Sequence, residues 1–274
     1  MGVGPQLERL SPFGEARSSS DRHAFGALPS PTRAPKLDTL DTGRRLAVPN
    51  QEAGPGEDWQ AHVDREEARY RDGESRLPEA ADADSRQRQL TRLGNASAGA
   101  GLALLMDGRR DEAAARLIRA AERYRESFAE APPGSWGRPI GAMKARLLAE
   151  DWEGAAEDAR WALEAGAGES DSPIGRYAAG LAFLVLGGDE DARIQADAIR
   201  TRADFPAEVG DALAFLAAHD APGYALAVEG VLDSFEQRDE YLEDIPVADT
   251  VLVLQALAAR RGIAVELSSS LLPG

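Results

Sequence analysis

The sequence predicts an all-α fold of stacked antiparallel helical hairpins, and three observations indicate it. Alanine is the commonest apolar residue and aromatic residues make up only 6% of the 274 positions, which favours closely packed helices over a β-sandwich. Prolines stand at predicted first turns of helices, and glycines stand just past predicted helix ends. A segment of similar pattern recurs at intervals of 42, 37 and 33 residues, a spacing typical of helical-hairpin repeats.

Residues 1–58 are predicted to form a disordered or extended tail. They contain 7 of the 16 prolines and a serine run, Ser18–Ser20, without a sustained helical period. A start codon placed too far upstream would produce the same pattern, and so would an arm that becomes ordered on a partner. These alternatives stay open at the level of the sequence.

Residues 59–274 are predicted to form an α-helical repeat domain with a C-terminal capping helix. Proline lacks a backbone N–H and has a fixed φ, so it suits the first turn of a helix, whereas glycine readily adopts the positive φ of a helix end. The punctuating residues are Pro139, Pro173, Pro206, Pro222 and Pro246 for helix starts, and Gly108, Gly166, Gly187 and Gly262 for helix ends.

The recurring segment places alanine at the corner of each hairpin. "MDGRRDEAAARLIRAAE" (106–122) aligns with "LAEDWEGAAEDARWALE" (148–164), and weaker copies follow at 185–199 and 217–232. The aligned corner residues are Ala113, Ala155, Ala192 and Ala225. Small residues allow two antiparallel helices to cross closely, and each hairpin leaves apolar residues that its neighbour must cover.

This pattern resembles tetratricopeptide repeats over roughly residues 90–235. The matching stretches are "AEDWEGAAE" (149–157) and "DGRRDEAAA" (107–115), with a corner, an acidic residue and an alanine in order. In that family the first helices of the hairpins line a concave groove, which implies that Tyr177 faces a ligand. Trp136 lies in a loop between hairpins, "APPGSWGRP" (131–139), where it either fills the junction or anchors a partner.

The C-terminal region contains an acidic loop, "RDEYLEDIP" (238–246), an apolar helix predicted over 246–261, and a short extended stretch, "IAVEL". It resembles the end of the immunity protein 49 family, an all-α family that neutralises bacterial toxins. The matching residues are Leu254, Leu257, Ala258, Arg260, Arg261, Gly262, Val265, Leu271, Leu272 and Pro273. The resemblance implies an acidic surface that includes Glu240, Glu243, Asp244 and Asp249 and binds a basic toxin.

Charge suggests two further hypotheses. The formal net charge is −16, and only two of the 31 basic residues are lysines, Lys36 and Lys144, a balance typical of halophilic proteins. Nine arginines lie within residues 85–125. Three of them, Arg116, Arg119 and Arg123, fall on one helix face, and these three are called here the arginine face. An RNA- or ribosome-associated role for the arginine-rich 85–125 region is the alternative to protein binding.

Residues for catalysis or metal binding are sparse. The chain has no cysteine, and none of its three histidines, His23, His62 and His219, lies near a second ligand at a metal-site spacing. His219 is instead predicted to help end a helix. No nucleophile turn or phosphate loop is present. We therefore expect a cytoplasmic, non-enzymatic protein with no cofactor, no metal and no membrane span.

Overall fold

The computed structural model describes residues 58–274, which contain ten α-helices and no β-strand. The predicted tail lies outside this range except for Asp58, the N-cap of the first helix. The all-helical prediction is confirmed for the described residues. The helices are α1 (Trp59–Arg76), α2 (Ala83–Met106), α3 (Arg110–Phe128), α4 (Gly137–Leu148), α5 (Trp152–Glu164), α6 (Pro173–Leu186), α7 (Asp189–Ile199), α8 (Ala207–Ala217), α9 (Ala221–Glu236) and α10 (Asp249–Arg261).

Four helix–helix corners share one backbone geometry. After α2, α4, α6 and α8, the chain passes through a single residue of positive φ, and the next residue is the N-cap of the following helix. These residues are Gly108 (75°), Glu150 (58°), Gly187 (78°) and His219 (53°). Their N–H groups donate to the carbonyl three positions back, and the next N–H donates five positions back, which is the Schellman motif. The role predicted for His219 is confirmed.

The fourth residue of the second helix is buried in all four hairpins. Ala113, Ala155 and Ala192 occupy this position and are 0% exposed, as the sequence predicts. In the fourth hairpin the position belongs to Tyr224 rather than Ala225, so the last interval is 32 residues. The backbone bonds decide this, because the N–H of Tyr224 makes the same first helical bond as those three alanines, whereas Ala225 is only half-buried.

Consecutive helices pack against each other throughout the described chain, and first helices of neighbouring hairpins also touch, α4 against α6 and α6 against α8. Neighbouring corners are linked as well. Arg110 Nη1 lies 3.6 Å from Glu150 Oε1, and His219 Nε2 lies 2.7 Å from Asp189 Oδ2. The first helices of the later hairpins therefore share one face of the molecule.

The ring of Tyr124 on α3 is held between two glycines. A Cβ atom at Gly94 of α2 would lie 2.7 Å from Tyr124 Cε1, and one at Gly141 of α4 would lie 2.8 Å from Tyr124 Cε2. The hydroxyl donates to Asn95 Oδ1 at 2.9 Å, so the ring cannot rotate away without losing a buried bond. Three helices of two hairpins are thus joined around one side chain.

Residues 238–274, called here the C-terminal segment, return from the end of α9 toward the start of the domain. Ile245 and Val247 enter the same apolar cluster as Val63 of α1 and Leu102 of α2. The helix predicted over 246–261 begins only at Asp249, because residues 245–248 are not helical and the Ala248 N–H donates to the Leu271 carbonyl at 3.0 Å.

The C-terminal helix covers more than the last hairpin, which the sequence predicts it to cap. Helix α10 contacts α4 as well as α8 and α9. Residues 263–270 then run beside it with alternating exposure, and Ile263, Val265 and Leu267 pack partly buried against the main core. The segment therefore lies along the face of the first helices rather than at one end.

Candidate functional site

Two polar contacts fix α10 on the first helices. Lys144 Nζ of α4 lies 2.5 Å from Asp249 Oδ2 and donates to Thr250 Oγ1 at 3.0 Å. Asp249, which the sequence places on the acidic contact surface, is thus paired within the molecule. At the other end of α10, Arg261 Nη2 donates to the Leu184 carbonyl at 2.9 Å. The face that the tetratricopeptide resemblance assigns to a ligand is therefore occupied by the chain's own C-terminal segment.

Arg261 also connects α10 to a corner of the stack. Its Nη2 lies 2.5 Å from Asp189 Oδ1. Burial opposes ionisation of Asp189, but hydrogen bonds from Arg261 and His219 outweigh it and lower the pKa of this carboxyl. Asp189 is thus held in its charged form between α10 and the fourth hairpin.

The two aromatic residues of the predicted binding site are buried. Trp136 is 8% exposed, and its ring centroid lies 6.1 Å from that of Phe128, so it fills the junction between hairpins. Tyr177 is 2% exposed beside Phe205, and burial, with the charge of Asp249, raises its pKa. Because both side chains are buried, neither can contact a partner, and the prediction that they do so is wrong.

Within the predicted acidic loop, the structure exposes two of the three contact residues. The name acidic loop is used from here on for residues 239–244. The carboxylates of Glu240 and Asp244 are exposed, and neither makes an ion pair within residues 58–274. Glu243 is instead almost buried, and its Oε2 lies 2.5 Å from Arg69 Nη1 on α1. Glu243 therefore anchors the loop, while Glu240 and Asp244 face solvent.

The acidic loop is fixed in an unusual backbone conformation. Glu243 and Asp244 have φ of 53° and 57°, in the left-handed region that costs a non-glycine residue about 1–2 kcal/mol. Arg65 Nη2 donates to the Glu243 carbonyl at 2.5 Å, and Ile245 is fully buried directly after the loop. These contacts stabilise a conformation that the loop would not adopt alone.

The arginine face is paired within the molecule. Arg116 Nε and Arg119 Nη2 each donate to Glu67 Oε1 of α1 at 2.9 Å. Burial opposes ionisation of Glu67, but the two arginines outweigh it and lower the pKa of this carboxyl. The positive charge at this end of the face is therefore neutralised by α1.

Arg123 completes the same contact two turns along α1. Its Nη2 lies 2.6 Å from Glu74 Oε1, and its Nε donates to the Tyr70 hydroxyl at 2.9 Å. The Arg119 guanidinium stacks on the Tyr70 ring at 3.8 Å from the centroid, a favourable cation–π distance. The arginine face thus docks helix α1 against α3.

Substituting Glu67 tests this pairing through pH. Because its folded pKa lies below the unfolded value, Glu67 stabilises the fold fully above about pH 4.3, and this contribution is lost as the pH falls through the folded pKa. Glu67→Gln should lower the free energy of unfolding by about 1–2 kcal/mol at pH 7, and by less near pH 3.5. Urea denaturation at both pH values measures the difference.

Glu66→Gln is the matched control for this measurement. Burial raises the pKa of Glu66, so its contribution to stability changes with pH in the opposite direction. An equal cost of Glu67→Gln at both pH values would contradict the proposed pairing of Glu67.

The contacts most important for the site include residues that sequence reasoning did not select. Arg65 and Arg69 hold the acidic loop, and Lys144 holds α10. One signal for Lys144 was available, since it is one of only two lysines in the chain and follows the apolar stretch "IGAM". No comparable signal marks Arg65 and Arg69 among 29 arginines.

Comparisons with known proteins do not assign this chain to a family. No family model matches the chain, and no curated protein or solved structure does either. Within residues 58–274, no group of three or more His, Cys, Asp or Glu side chains could hold a metal ion. The same part of the chain holds no helix of sufficient length and apolarity to span a membrane.

Proposed function

We propose that this chain is a non-enzymatic, tetratricopeptide-like helical repeat protein that binds another protein. The four Schellman corners support this architecture, because the same turn repeated four times stacks hairpins in a constant direction. Stacked hairpins present long, rigid surfaces, which suit recognition of a protein partner.

The acidic loop is the proposed contact surface, and its fixed backbone is the observation that carries the proposal. Glu240 and Asp244 project from a loop that Arg65 and Arg69 hold in place. A preorganised loop loses little conformational entropy on binding. The left-handed backbone at two consecutive residues, Glu243 and Asp244, supports this assignment, because neither residue ends a helix as Glu150 and His219 do at their corners.

The proposed partner is basic. Residues 126–274 carry 27 acidic and 11 basic side chains, so a basic partner would meet complementary charge over this part of the molecule. Together with the C-terminal resemblance to the immunity protein 49 family, this favours a cytoplasmic immunity protein that neutralises a basic toxin. Blocking a toxin's site needs only complementary shape and charge, and no catalytic group.

Nucleic-acid binding receives no support from the arginine face. Arg116, Arg119 and Arg123 all pair with carboxylates of α1, so they are not free to contact phosphates. The acidic body would also repel a long polyanion.

Charge reversal in the acidic loop tests the proposal. The full chain and its Glu240→Lys/Asp244→Lys variant are immobilised, exposed to native lysate in molar KCl, and the retained proteins are quantified by mass spectrometry. We expect a basic protein that is retained by the full chain and reduced at least about tenfold by the variant, as expected for loss of two charged contacts.

Glu153→Lys/Glu157→Lys on α5 is the matched control. It changes the net charge by the same amount at two exposed helix positions. Equal loss of the retained protein in both double variants would reject the acidic loop as the contact surface. If nothing is retained by the full chain, the protein-binding function itself is rejected.

A further inference from the structure

A cavity of about 350 Å³ opens between α1 and α2, beside the acidic loop. Its lining includes four arginines and only two carboxylates, those of Asp72 and Glu243. This cavity, called here the arginine cleft, thus has more basic than acidic side chains in its lining, in a protein whose net charge is −16. The four arginines are Arg69, Arg76, Arg88 and Arg92.

Helical spacing explains why these arginines converge. Arg69 and Arg76 are seven residues apart on α1, and Arg88 and Arg92 are four apart on α2, so each pair lies on one helix face. Gly73 allows the two helices to approach, because a Cβ atom there would lie 2.7 Å from Gln89 Nε2. The two arginine pairs therefore line the same cavity from opposite helices.

The arginines of the cleft differ in how they are paired. Arg69 pairs with Glu243 at 2.5 Å, and Arg76 and Arg88 pair along their own helices with Asp72 and Asp84. Arg92 is exposed and makes no hydrogen bond or ion pair within residues 58–274. Its five N–H donors are available to a ligand in the cleft.

We propose that the arginine cleft binds the phosphate group of a small phosphorylated molecule, with Arg92 as its principal contact. A phosphate dianion offers several acceptor oxygens, which suits the planar fork of the Arg92 guanidinium, the one cleft arginine without a carboxylate partner in the described residues. The cavity is at the lower end of the range for small-molecule sites, about 300–1,000 Å³, and so it has room for more than a bare ion. This inference does not depend on the protein-binding function, because Glu240 and Asp244 are not among the residues that line the cleft.

Calorimetric titration with inorganic pyrophosphate tests the proposal. The full chain is titrated at low ionic strength, where charge screening is weakest, and again in molar KCl, with acetate as a singly charged control. We expect pyrophosphate to bind with a Kd below about 1 mM at low ionic strength and acetate not to bind detectably. Arg92→Ala should weaken pyrophosphate binding about tenfold or more, and Arg92→Lys should weaken it less, because lysine keeps the charge but lacks the fork.

Arg160→Ala is the control substitution. Arg160 is also exposed and unpaired within the described residues, but it lies on α5, away from the cleft. The Arg160→Ala variant should bind pyrophosphate with the same affinity as the unaltered chain. Failure of the unaltered chain to bind pyrophosphate, or equal affinities of the Arg92→Ala and Arg160→Ala variants, would overturn the assignment. Circular dichroism of each variant establishes that the fold is retained.

Discussion

Gly141→Ala is expected to lower the free energy of unfolding by about 1–3 kcal/mol. Alanine is ordinarily the better helix residue by about 1 kcal/mol, so helix propensity alone predicts the opposite sign. The added Cβ would lie 2.8 Å from the Tyr124 ring, which is buried, hydrogen-bonded to Asn95 and confined by Gly94 on its other side. Because the ring has nowhere to move, the clash outweighs the gain in propensity.

Gly180→Ala on α6 provides the matched comparison. There the added Cβ would meet Gln195 Cβ at 3.5 Å and Leu213 Cδ1 at 3.6 Å, which are ordinary contacts. We expect this substitution to raise the free energy of unfolding by about 0.5–1 kcal/mol. Urea denaturation of both variants measures the two effects. Stabilisation by Gly141→Ala would show that the three helices around Tyr124 are not packed as described.

Lys144→Met is expected to lower the free energy of unfolding by about 2–4 kcal/mol. The substitution keeps an unbranched side chain but removes the ammonium group, which leaves Asp249, whose side chain is only 18% exposed, without its ion-pair partner. It also removes the donor to Thr250, which is itself buried. The effect should be somewhat smaller than for a fully buried pair, because Asp249 retains some contact with water.

A double-mutant cycle separates the ion pair from other effects of Lys144→Met. Adding Asp249→Asn to this variant should recover at least about half of the lost stability, because no unpaired charge then remains. Arg193→Met, which breaks an exposed pair with Asp197, should cost less than about 1 kcal/mol. Purely additive effects of the Lys144 and Asp249 substitutions would contradict the docking of α10 on α4.

The local parts of this fold could be predicted from the sequence because local chemistry determines them. Gly108 and Gly187 supply a positive φ at their corners, and the alanines four residues into the second helices fill the helix crossings. In the fourth hairpin the sequence predicts the buried corner residue one position too late, at Ala225, because Tyr224 occupies the position that alanine holds in the other three hairpins. A large residue at an otherwise small position leaves no repeat signal to align.

The long-range parts could not be predicted, because no local pattern specifies which surfaces meet. Lys144 and Thr250 are 106 positions apart, and nothing near either residue indicates the other. A row of arginines has the same sequence pattern whether it faces solvent or an acidic helix. Glu67 and Glu74, seven residues apart on α1, were the available indication that the arginine face has an internal partner.

In an open array of helical repeats, the terminal units can fray and separate units can unfold one after another. Here the residues that follow the last hairpin are clamped to the first two helices, through Arg65, Arg69 and the buried Ile245. Loss of either end therefore removes support from the other, which makes the domain cooperative as a whole. The same long sequence separation raises its contact order, so it should fold more slowly than a helical array of equal length with free ends.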